Sequence, residues 1–148
     1  MKKTFFVFLI FIASCGYQPV YLNKNLKNLE FKKIIFEGEK DINQRLINIL
    51  TIKENDQSED TLLISSSSKI EETSKDSKGQ IRSLKTIILI KLKIKDTDNK
   101  LIKDKNFLKE FSKKNKKNKY ELVEYQNDIK LNLVDKISNE INFYLNLE

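Results

Sequence analysis

The chain of 148 residues contains no histidine and no tryptophan, one proline, one cysteine and three glycines. Without histidine, the commonest general base and metal ligand is missing. The only cysteine, Cys15, lies near the N-terminus, so the rest of the chain has no thiol for catalysis, zinc or a disulfide. Gly16, Gly38 and Gly79 are too far apart in sequence to build a phosphate-cradling loop. An enzyme on this chain would have to use carboxylates, lysine, serine or tyrosine. Most Asp and Glu residues adjoin lysines at positions that look exposed, a pattern of solvated faces rather than of a perturbed acid/base pair. The expectation is a protein that performs no bond chemistry and holds no metal or cofactor.

The positive charge is ample but dispersed. Lysine and arginine number 28 against 21 acidic residues, a net charge of +7. Lysines spread along the chain do not make the concentrated stripe of a nucleic-acid binder, and no nucleic-acid partner is expected.

The N-terminus is organised around Cys15. Lys2 and Lys3 precede an unbroken apolar run from Phe5 to Ile12, followed by the small-residue junction Ile12, Ala13, Ser14 and Cys15. This is the pattern of a signal peptide over residues 1–14, and the run is about half of what a bilayer span requires. Removing it takes Lys2 and Lys3 away and leaves a charge of +5. The Ile-Ala-Ser-Cys junction resembles the lipobox of bacterial lipoproteins, whose cysteine carries diacylglyceryl and N-acyl lipid. Cys15, Gly16, Tyr17, Gln18, Pro19, Val20 and Tyr21 resemble the mature start of the LptE family of lipopolysaccharide-assembly lipoproteins, alphaproteobacterial type. Residues 15–28 then read as an acylated tether and residues 29–148 as one domain.

Residues 29–36 are rich in strand formers and read as a first strand. Asp41 is a plausible N-cap for a helix in which Ile42, Leu46, Ile49 and Leu50 form an apolar stripe, with Asn43 on the opposite side and an end near Ile52 to Glu54. Residues 61–70 read as a strand with Leu62, Ile64 and Ile70 on one face and Leu63 on the other. Ser65 to Ser68 are read as small strand residues, since no histidine is present to activate a nucleophile. Lys75 to Gln80 make a turn, with Gly79 suited to positive φ. In residues 81–95, Ile88, Ile90, Leu92 and Ile94 alternate with Ile87, Leu89, Lys91 and Lys93, which marks a central strand. Residues 100–112 read as a further strand with a bulge or edge character around Lys103 to Asn106. The lysine-rich stretch 113–119 reads as a loop, and Leu122, Ile129, Leu133, Ile137, Ile141 and Tyr144 or Leu145 predict a long amphipathic helix.

The order β-α-β-β-β-α predicts an α+β two-layer sandwich, a four-stranded mixed sheet with both helices on one face. The resemblance implies the same element order, and Lys78, Gly79 and Gln80 resemble the basic-Gly-Gln tip that LptE carries between two strands. It further implies an outer-membrane, periplasm-facing lipoprotein, anchored through Cys15, that plugs and supports the LptD barrel in lipopolysaccharide transport. Ile87 and Leu89 on the open sheet face are the candidate barrel contacts. Lys75, Lys78 and Arg82 at the hairpin tip, with Lys113, Lys114, Lys116, Lys117 and Lys119 before the last helix, are candidate contacts to lipopolysaccharide phosphates. The alternative is a free periplasm-facing lipoprotein that binds another envelope protein or peptidoglycan.

Overall fold

The computed structural model describes residues 29–115 and 118–146. The signal peptide, Cys15 and the tether therefore lie outside the described residues, as do Lys116 and Lys117.

Among the described residues, six strands and two helices follow in the order β1 (Leu29–Phe31), β2 (Lys33–Gly38), α1 (Lys40–Leu50), β3 (Ile52–Glu54), β4 (Thr61–Lys75), β5 (Ile81–Lys95), β6 (Leu101–Lys114) and α2 (Lys119–Leu145). The main sheet has the order β2-β4-β5-β6, with β2 parallel to β4 and the remaining pairs antiparallel. Both helices cover one face of it, and this is the predicted two-layer α+β arrangement. The even-numbered side chains Leu62, Ile64, Ile88, Ile90, Leu92 and Ile94 point into the core, where they meet Ile42, Leu46 and Leu50 of α1 and Ile129, Leu133, Val134, Ile137 and Ile141 of α2. The strict two-residue period of β5 and the helical period of α2 are what make this interface possible.

Four local expectations are corrected. The first strand is broken at Lys32: β1 pairs in parallel with β3, while β2 pairs with β4. The Lys32 amide donates to Asp60 O at 2.8 Å, and the Asn55 amide donates to Phe31 O at 2.8 Å, which fixes the change of partner. Residues 52–54 are accordingly a strand and not the end of the helix. Thr51 takes a left-handed φ of 51°, which stops α1 at Leu50 and reverses the chain. Asp41 sits in the first turn of α1, and the N-cap position belongs to Glu39, whose side chain makes no capping bond. Asn43, expected on the polar side, is buried because its Nδ2 donates to Glu37 O at 3.1 Å.

The later strands also run further than their sequence suggested. β4 continues to Lys75, so Ile70 lies on the overhanging part of the hairpin and is exposed although it shares parity with Leu62 and Ile64. β6 forms the edge of the sheet, as expected, but its register slips at Ile102, between the pairs Ile94–Lys103 and Lys95–Leu101, and not within 103–106. Lys113 and Lys114 belong to β6 and not to the loop.

Two hairpin turns of the same design join β4 to β5 and β5 to β6. In each, an aspartate Oδ1 accepts from two turn amides at 2.9 Å: Asp76 from Lys78 and Gln80, and Asp96 from Asp98 and Lys100. The fourth residue has positive φ, 76° at Gly79 and 60° at Asn99. Since Asn99 already fills that place in the second turn, Gly79→Asn is expected to change the unfolding free energy by less than about 0.5 kcal/mol, against about 1 kcal/mol lost for Gly79→Ala. Urea denaturation of the two variants checks the difference.

Candidate functional site

The face of the main sheet that carries no helix is built from the odd positions of β2, β4 and β5 and the even positions of β6. Strand register places Leu89 opposite Leu108 of β6 and Ser67 of β4, and Ile87 opposite Glu110 and Lys69. Ile35 pairs with Leu63, which pairs with Lys93. Ile87 and Leu89 are half-buried and Leu108 is exposed. Ion pairs frame the apolar residues: Lys85 Nζ to Glu110 Oε2 at 3.4 Å, Lys93 Nζ to Asp104 Oδ2 at 3.6 Å, and Lys69 Nζ to Glu71 Oε1 at 2.8 Å. Lys91, facing Ser65 and Asn106, has no acidic partner among the described residues. The result is an aliphatic patch in a field of lysines, the composition of a surface that can pack against another apolar surface.

The β4–β5 tip brings Lys75, Lys78 and Arg82 together. Lys75 Nζ meets Glu72 Oε2 at 3.1 Å, and Arg82 Nη2 meets Asp76 Oδ2 at 3.1 Å. Asp76 thus orders the turn backbone and neutralises Arg82 at the same time. Lys78 is exposed and makes no ion pair among the described residues, so it is the cation of the tip most accessible to an anion. Of the second cluster, the side chains of Lys113 and Lys114 are described, and they lie on opposite sides of β6. Lys113 is only 7% exposed, because it follows the inward parity of Phe107 along β6, and its Nζ lies over the Tyr125 ring, 4.5 Å from the centroid. Lys114 is exposed on the open side, opposite Ser83. Lys119 begins α2, one residue after Asn118, whose side chain accepts from the Tyr120 amide at 3.0 Å.

A polar cluster that sequence reasoning missed joins both helices to the sheet. Glu39 Oε1 accepts from the Ser68 amide at 2.6 Å and from the Ser68 hydroxyl. Lys130 of α2 donates to Glu39 Oε2 and, at 2.7 Å, to Asp41 Oδ2. Burial resists ionisation of Glu39, but the bonds from Lys130 and Ser68 outweigh it and hold its carboxyl below the ordinary range. The bond from Lys130 likewise lowers Asp41, against a smaller opposing effect of burial. For Lys130, burial is again the largest influence and favours the neutral amine, yet the two carboxylates together raise its pKa above the ordinary lysine value. These contacts clamp α1, α2 and β4 together through Glu39 and Lys130. Arg45 and Asp135 add a two-pronged bridge between the helices, at 2.6 and 2.7 Å. No sequence signal would have paired Glu39 with Lys130, 91 residues away. The open-face role of Leu108 was detectable only after the β5–β6 register was known.

Among the described residues, no group of three or more Asp, Glu, Cys or His side chains is arranged to hold a metal ion, and no helix is long and apolar enough to cross a membrane. The fold and its surfaces define a class: a two-layer α+β domain with one helix-covered sheet face, one open lysine-framed face and a projecting basic hairpin. No protein-family model matches the sequence. No curated protein matches it by sequence either. Solved structures do. The chain is similar to a candidate lipoprotein from Caulobacter crescentus CB15, with TM-score 0.56 and 8% identity over 76% of this chain and 85% of that one. It is similar to rare lipoprotein B from Shewanella oneidensis, with TM-score 0.52 and 10% identity over 76% and 98% of the two chains. It is also similar to an uncharacterized lipoprotein B from Nitrosomonas europaea, with TM-score 0.56 and 11% identity over 86% and 88%. At such identities the likeness is one of fold.

Proposed function

We propose that this chain is an envelope lipoprotein, acylated at Cys15 and held at the outer membrane facing the periplasm, whose domain plugs and supports an LptD-like barrel during lipopolysaccharide insertion. The observation that carries this reading is the fold shared with rare lipoprotein B from Shewanella oneidensis. The lipobox at Ile12 to Cys15 and the LptE-like start that follows it support the same reading from the other end of the chain. The multiple acyl chains of a mature bacterial lipoprotein hold a domain firmly where one chain would bind only marginally. The open face, with Ile87, Leu89 and Leu108 framed by lysines, supplies a mixed surface for the inner wall of a barrel. Lys78 and Arg82 at the tip supply cations for lipopolysaccharide phosphates, with Lys78 the freer of the two. The role is scaffolding and contact, without bond chemistry.

Tagged full-length protein, expressed in its native host and extracted from outer membranes in mild detergent, is expected to co-purify with a stoichiometric barrel identified by mass spectrometry. Recovery without a barrel from cells that make LptD would refute the plug and favour a free lipoprotein bound to another envelope protein or to peptidoglycan.

A further inference from the structure

The two edges of the main sheet differ. β2, at one edge, has six residues, and its outward Ile34 amide donates to Glu54 Oε1 at 2.8 Å, so that edge is short and capped. β6, at the other edge, has fourteen residues. The Asn115 amide donates to Arg82 O at 2.8 Å, and from this pair back to Lys103 the register with β5 is continuous. Odd-numbered residues of this stretch therefore turn their main-chain groups toward β5, and even-numbered residues turn theirs out of the sheet. The outward main-chain groups of Asp104, Asn106, Leu108, Glu110 and Ser112 have no hydrogen-bond partner among the described residues. Such a row is a template for another strand.

The side chains along this edge select the strand that fits it. The side facing α2 carries Lys103, Lys105, Phe107, Lys109, Phe111 and Lys113, with no acidic residue of β6 among them. Lys109 meets Glu140 of α2, whereas the exposed Lys105 lies 4.5 Å from the Tyr144 ring centroid and has no acidic partner among the described residues. On the open side, Asp104 and Glu110 are already paired with Lys93 and Lys85 of β5. Leu108, 54% exposed on the open side, and Phe111, 43% exposed on the α2 side, are each positioned to gain a cross-strand neighbour. A second copy of the chain fits poorly. When two β6 edges pair antiparallel with their sheet faces matched, every register that spans the middle of the strand sets a lysine opposite a lysine or Glu110 opposite itself. A strand with acidic residues meets no such conflict.

We propose that the β6 edge takes an extended segment of another polypeptide as a fifth strand of the sheet, with acidic residues of that segment facing Lys105 and its neighbours beside α2. Main-chain bonds to the even-numbered residues supply the affinity, and the lysine row supplies the choice of partner. The edge adjoins the open face, so a barrel wall packed on that face and a strand added at β6 occupy neighbouring surfaces. The inference does not require the barrel reading, because any envelope protein with such a segment satisfies it.

The probe is a fluorescein-labelled synthetic peptide of about nine residues in which glutamate alternates with valine, titrated by anisotropy against the full-length protein in mild detergent. It is expected to bind at least about tenfold more tightly than a peptide with lysine in place of glutamate. Asn106→Pro removes an outward amide and leaves the β5 pairing intact, so it should match the wild type in urea denaturation and lose at least about tenfold in affinity. Asn106→Ala keeps the amide and should bind as the wild type does. The glutamate probe N-methylated at every amide should not bind, which tests the main-chain bonds even where the proline variant fails to fold. No binding of the glutamate probe, equal affinity for the two peptides, or full affinity of the N-methylated probe or of a folded Asn106→Pro variant overturns the proposal. A dimer of the protein alone in analytical ultracentrifugation that Asn106→Pro dissociates would also overturn it and reassign the edge to a second copy. Barrel co-purification is read separately, so its failure is distinguishable from a failure of the edge.

Discussion

Gly38→Ala is expected to lower the unfolding free energy by about 3 kcal/mol or more. Gly38 ends β2 with φ of 87°, in register with Ser66 of β4. A Cβ at this position would stand 1.8 Å from Ser66 O and 2.9 Å from Ser66 C, both of them backbone atoms that no rotamer change can move. Relief requires separating β2 from β4 or turning the chain out of its left-handed conformation. Either movement disturbs Glu39, whose amide donates to Ser66 Oγ at 3.1 Å and lies 3.3 Å from Ser66 O, and Glu39 leads directly into α1. The control is Gly79→Ala. Gly79 also has positive φ but nothing lies within 4 Å of its added Cβ, so only the backbone penalty of about 1 kcal/mol applies. Urea denaturation measures both through the midpoint at constant slope. Equal losses at the two glycines would contradict the crowding at Ser66.

The elements that were legible in the sequence are those whose signal is local. The alternation of Ile88, Ile90, Leu92 and Ile94, the stripe from Ile129 to Ile141 and the turn residues around Gly79 each declare themselves within a few positions. What was illegible depends on distant partners. Residues 52–54 continue an apolar-polar pattern compatible with a helix, and only pairing with Leu29–Phe31, more than 20 residues earlier, makes them a strand. Asn43 is buried because Glu37 O happens to lie within reach of its amide, and polarity alone gives no hint of that. Lys113 looked like loop because lysines surround it, yet β6 parity turns it inward over Tyr125. For the candidate site, Ile87 and Leu89 were placed on the open face by alternation alone. Their companion Leu108 was not, because a register slip at Ile102 changes which β6 residues share that face.

The second large effect concerns Lys130, which is 19% exposed and holds two carboxylates that lie far from it in sequence. Lys130→Met keeps the stem but leaves Glu39 and Asp41 without their cation, and is expected to lower stability by about 2 kcal/mol at pH 7. The same cluster sets a pH window. Glu39 and Asp41 have lowered pKa values in the folded state, so their contribution is complete above the ordinary carboxylate range and is lost as the pH falls through the depressed values, below about pH 4. Lys130 has a raised pKa, so its contribution is complete below the ordinary lysine value and is lost as the pH rises through the raised one, above about pH 10. Between these limits the clamp should contribute a constant amount. Because Asp41 is largely exposed, most of the acid-side loss should come from Glu39, which the sheet and α2 screen from water. Urea denaturation from pH 2 to 7 should show native stability falling at the acid end, and a shallower fall in Lys130→Met, where Glu39 keeps only its bonds from Ser68. A variant that loses stability at pH 7 but retains the full acid slope would show that the slope arises elsewhere. A variant that loses nothing would remove Lys130 as the tie between the two helices and β4.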